Sequence, residues 1–116
     1  EAKARLGQSA QAALQQAVTA SVVSVTGSAP TSAFLTAATA TFDVKNIIQQ
    51  KYLAMFLTLE PYNDYRRTGY PALVPNMKSD TKVIPVRLPT PSDERQYNTN
   101  ATVVSNVTTK VWWDKN

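Results

Sequence analysis

Glu60 and Asp64 stand four residues apart, so a helix running through them puts both carboxylates on one face. Paired carboxylates are the working groups of glycoside hydrolysis, one giving a proton while the other attacks or activates water. Asp64 and Arg67 are only three apart, however, and Glu60 also lies within reach of an arginine. The favoured reading is therefore an ion-paired cluster that locks a helix end, since neither acid has other catalytic company. The acidic pair Asp93-Glu94 sits in a Pro-rich stretch and reads as a turn former.

The remaining candidates are aromatic. Tyr52, Tyr62, Tyr65, Tyr70, Tyr97, Trp112 and Trp113 could stack on a sugar or a peptide, because a flat ring with a polar edge suits both. Their placement favours packing for each ring taken separately. Trp112 and Trp113 are adjacent, so in any regular structure they point in different directions and at most one faces a ligand. Asn100-Ala101-Thr102 and Asn106-Val107-Thr108 match the N-glycosylation acceptor pattern, with chance the default explanation in so Asn- and Thr-rich a segment.

Composition narrows the chemistry further. The 116 residues include no cysteine and no histidine, which excludes a Ser/His/Asp triad, a cysteine nucleophile, an imidazole base, a thiolate or imidazole zinc site and a disulfide scaffold. Three dispersed glycines, at positions 7, 27 and 69, provide no phosphate-binding loop, and no cofactor is expected. The formal net charge of +4 is spread along the chain with Arg66-Arg67 as the one basic doublet, so it reads as a solubility feature and no nucleic-acid partner is expected. No stretch reaches the roughly 18 apolar residues of a membrane-spanning helix.

The elements that must position these groups follow from periodicity. Leu6, Ala10, Ala13, Leu14, Ala17 and Val18 share one helical face, which predicts a helix over 1–27; Gly7 interrupts it, Ser9 offers a cap to a restarted helix, and Gly27 stops it before Pro30. Residues 31 to 41 read as a loop with at most a short helix. Asp43 caps the strongest helix, with Val44, Ile48, Tyr52, Met55 and Leu59 at helical spacing, and from Tyr52 to Leu59 almost nothing is polar. A helix apolar all round must be buried between other elements. Pro61 either kinks it or restarts it with Pro61 in first place, and Gly69 closes the 43–69 segment with Arg66 and Arg67 in the last turn. Four prolines between 75 and 91 rule out long helix beyond residue 70, and Val83 to Pro89 reads as an extended edge segment. Val111-Trp112-Trp113-Asp114 reads as a large apolar anchor.

The run IIQQKYLAMFLTLEPYNDYRRTGYP from Ile47 to Pro71, with IPVRLPTPSDERQYNTN at 84–100 and KVWWD at 110–114, resembles the C-terminal end of the SusD/RagB family. The resemblance is carried by a Gln-Lys helix, then Glu60, an aromatic, Asp64, Arg66-Arg67-Thr68-Gly69-x-Pro71, Ile84-Pro85-x-Arg87, a Pro before Glu94, the paired Asn98 and Asn100, and Trp112-Trp113-Asp114, all in order. It covers about the last two-thirds of the chain, and AALQQAVTASV is a weaker match to the preceding family helix. Pro61 and Thr90 depart from the pattern, and a Gly-Gly-Asp turn before the tryptophans is absent.

The resemblance implies a mainly α, tetratricopeptide-like fold, of which these residues form the C-terminal part: two principal helices followed by a Pro-rich irregular region over 70–116. It further implies an outward-facing outer-membrane lipoprotein of Bacteroidetes, held to the membrane only through an upstream lipid anchor. Such a protein takes up nutrients by capturing an oligosaccharide, or in some branches an oligopeptide, and acts as a lid on a SusC-like TonB-dependent transporter without doing chemistry. Glu60, Asp64, Arg66, Arg67, Gly69, Trp112 and Trp113 then form a structural signature, and the ligand-contacting loops lie in an N-terminal part. The helical register at Glu1, the missing initiating Met and the all-round apolar helix add the expectation that the chain is a piece of something longer.

Overall fold

In a computed structural model, which describes residues 1–79 and 82–114, the described residues form six helices and none of them is in a strand. The portions of the expected 70–116 region at 80–81 and 115–116 lie outside the described residues. Two compact units are present, Glu1–Pro71 and a second beginning at Ala72. None of the described helices is long and apolar enough to cross a membrane.

The first unit holds α1 (Ala2–Arg5), α2 (Gln11–Thr26), α3 (Ser32–Ala38), α4 (Val44–Ala54) and α5 (Glu60–Thr68). The 1–27 segment thus contains two helices, with Gly7 at φ 69° between them. The cap of the second is not Ser9: Ala10 occupies that position, without a side-chain hydrogen bond. Leu14 and Val18, one turn apart on α2, are buried beside α4, whose Ile48 is 0% exposed, and Ala10 completes this apolar core. Gly27 ends α2 in the left-handed conformation and donates its N–H to the Val23 carbonyl at 2.9 Å.

Side chains fix the turn from α3 into α4. Thr31 caps α3 by accepting from the Phe34 N–H, and Asp43 caps α4 by accepting from the Asn46 N–H at 2.8 Å. The Asn46 amide donates to the carbonyls of Ala38 (3.0 Å) and Thr41 (2.6 Å), spanning the whole connection. Thr39, 1% exposed, donates its hydroxyl to the Leu35 carbonyl and faces Gln15 of α2.

α4 ends at Ala54, before the apolar run is over. Met55 and Leu59, expected to continue its buried face, lie outside it. Thr58 donates both its N–H (3.1 Å) and its hydroxyl (2.8 Å) to the Met55 carbonyl, replacing the helical ladder with a local turn, and Leu57 takes a left-handed φ of 69°. Burial of this run is likewise not observed: Leu53, Phe56, Leu57 and Leu59 are all exposed, Leu57 at 90%. A helix that is apolar on every side needs cover on every side, and among the described residues α4 packs mainly on α2 and α5, while α3 packs on α2.

α5 starts with Glu60, so Pro61 is at its second position and not its first. A missing N–H is harmless there, because the first-turn amides have no intrahelical acceptor. Gly69 closes α5 at φ 73°, with its N–H on the Tyr65 carbonyl at 2.8 Å. The following Tyr70-Pro71 bond is cis.

Among its described residues the second unit contains one helix, α6 (Ser92–Tyr97), directly after Pro91. The expected extended segment at 83–89 is instead bent, and the pairing it makes is isolated: Val86 N–H to the Val107 carbonyl (2.9 Å), then Thr90 N–H to the Val104 carbonyl (3.2 Å). Asn76, Asn98 and Asn106 each accept from the backbone N–H two residues on, which builds the loops from Asx turns.

Candidate functional site

The charged face of α5 is the best-defined polar site. On this helix Glu60, Asp64, Arg67 and Thr68 fall at offsets of four, seven and eight, a single stripe, and α4 packs against α5. Asp64 sits at the centre with its side chain 5% exposed. Its Oδ1 accepts from Arg67 Nη2 at 2.7 Å, and its Oδ2 lies 2.8 Å from the Nζ of Lys51 in the last turn of α4. Lys51 also approaches Glu60 Oε2 at 3.7 Å. Arg67 turns the rest of its guanidinium on Glu1, grasping both carboxylate oxygens, and Arg5 Nε donates to the same carboxylate at 2.9 Å. Glu1, Glu60 and Asp64 are thereby matched by Arg5, Lys51 and Arg67 in one continuous network.

The electrostatic consequences follow the contacts. The hydrogen bond from Arg67 is the largest influence on Glu1; with that of Arg5 it overcomes the opposing cost of partial burial and lowers the carboxyl to about 2. Lys51 is raised above the usual lysine value, first by its bond to Asp64, and Arg67 is raised by its bonds to Glu1 and Asp64. Thr68 completes the helix end: its hydroxyl donates to the Asp64 carbonyl at 2.6 Å and accepts from the Tyr70 N–H at 3.1 Å.

The sequence-derived residues divide accordingly. Glu60, Asp64 and Arg67 come together, and Gly69 terminates the helix that carries them. Arg66 leaves this stripe and places its guanidinium 5.4 Å from the centre of the Tyr62 ring. The arginine expected near Glu60 is replaced by Lys51. Lys51 and Glu1 escaped the spacing argument because they are 13 and 63 positions from Asp64, beyond any helical repeat; Lys51 carried one signal, its place in the Gln-Lys family motif. Trp112 and Trp113 belong to the second unit. Trp112 is 90% exposed, so the terminal motif does not act as an apolar anchor through this ring. Asp114 beside it is buried, with Lys110 Nζ at 3.9 Å.

Of the other aromatic candidates, Tyr52 meets Phe56 edge-on, with ring centres 6.5 Å apart. Tyr97 is exposed. Asn106 uses its side-chain oxygen to accept from both the N–H and the hydroxyl of Thr108. Among the described residues no group of three or more carboxylates is placed to hold a metal ion.

A concavity lies between α2 and α4. It is an open groove of about 590 Å³, lined by Leu14, Val18, Val22, Phe34, Leu53 and Met55, with Lys51 and Glu1 at its polar rim.

The model of a SusD-like family, described as starch-binding associating with outer membrane, matches residues 2–91. This chain belongs to the SusD-like family. The matched span takes in α1 to α5 and the Ile84-Pro85-x-Arg87 motif, so it includes the N-terminal helices, where the sequence resemblance is weaker. It stops short of α6 and of Trp112-Trp113. SusD-like proteins are binding proteins that associate with the outer membrane and its transporters. Neither the curated proteins nor the solved structures yield a match to the chain.

Proposed function

We propose that this chain is the C-terminal part of an outward-facing outer-membrane lipoprotein that captures an oligosaccharide and hands it to a SusC-like TonB-dependent transporter, forming part of its lid. The observation that carries the proposal is the family match over residues 2–91. In this reading the protein binds and releases its ligand unchanged. The charge network supports a non-catalytic role, since Asp64 has a cation on each carboxylate oxygen and Glu60 shares the same lysine. We infer that Glu60, Asp64, Arg67 and Gly69 fix the end of α5, with Arg66 stacked on Tyr62 beside them.

The test is calorimetric titration of the full-length protein with starch-derived and other oligosaccharides, followed by assay of the same mixtures for new reducing ends. Binding of one glycan class with no new reducing ends is the expected result. Titration by oligopeptides alone would replace the glycan ligand with a peptide one. New reducing ends that vanish in Glu60→Gln would overturn the non-catalytic reading and make the carboxylate pair a hydrolase site. Co-purification of a large outer-membrane β-barrel with the tagged protein tests the delivery step.

A further inference from the structure

We draw no further inference here: the strongest candidate, the apolar groove between α2 and α4 together with the exposed Leu53, Phe56, Leu57 and Leu59 beside it, carries nothing because no feature of the structure shows what covers it.

Discussion

Asp64 has two cations, and a double-mutant cycle distinguishes that arrangement from a simple ion pair. Removing one partner of a buried pair costs about 3 to 5 kcal/mol, because a charge is left uncompensated out of water. Here the carboxylate keeps a second cation after either single loss, and the two donors are 36% and 43% exposed, so solvent screening trims each step. Lys51→Met and Arg67→Met, which keep the aliphatic stem and delete the charge, are each expected to cost about 1 kcal/mol. The double variant leaves Asp64 bare and is expected to cost about 3 kcal/mol, exceeding the sum of the singles by about 1 kcal/mol.

Hydrogen exchange of the amides closing α5, Gly69 among them, reads this as local opening, free of any assumption about global cooperativity. Each single should raise the opening equilibrium about 5-fold and the double more than about 100-fold. Arg67 also holds Glu1, so the cycle is repeated in a Glu1→Gln background, where the excess should persist. An additive double variant in both backgrounds would refute the reasoning, since it would mean that Asp64 is indifferent to losing its last partner.

Four further outcomes are expected. Glu1 is depressed in the folded state, so its contribution is fully present above its ordinary value near 4.5 and is lost as pH falls toward about 2; screening limits it to about 1 kcal/mol, and Glu1→Gln should flatten the acid limb of α5 exchange. Asp43→Ala removes the acceptor for the Asn46 N–H and should cost about 1 kcal/mol, read as faster exchange in the first turn of α4. Gly69→Ala meets no atom within 4 Å but must hold φ 73°, so a cost of about 1 kcal/mol in α5 opening is expected from backbone strain alone. Leu57→Gly should have the opposite sign, gaining up to about 1 kcal/mol in a urea titration, because it relieves φ 69° at a side chain that packs on little.

What was legible in the sequence was local. Asp43, Gly27 and Gly69 each act within one turn of their own position, and all three cap as their residue types dictate. The Asp64–Arg67 pair is equally local, three residues apart on one helix. The extent of α4 was not legible. Periodicity assigned Met55 and Leu59 to a buried face, but burial depends on what stands opposite, and the hydroxyl of Thr58 captured the Met55 carbonyl where cover was lacking. Trp112 shows the same limit: a large apolar ring near a chain segment's end implies packing only if something is there to pack against. α6 was hidden by the prolines around it, although Pro91 immediately before Ser92 also suits a helix entry.

The same distinction bears on the two readings of Glu60 and Asp64. A spacing of four puts two acids on one face whether they hydrolyse a sugar or hold a helix end, so spacing cannot separate the two. The separation comes from the groups opposite each oxygen. A glycosidase acid needs an oxygen open to the leaving group and its partner needs one open to the sugar or to water. At Asp64 Oδ1 is taken by Arg67 and Oδ2 by Lys51, and the side chain is almost wholly withdrawn from solvent. The discriminating residue is Lys51, contributed by a different helix and 13 positions upstream. Its charge occupies the oxygen that helical spacing alone leaves open, so Lys51→Met tests from outside α5 whether the pair is structural.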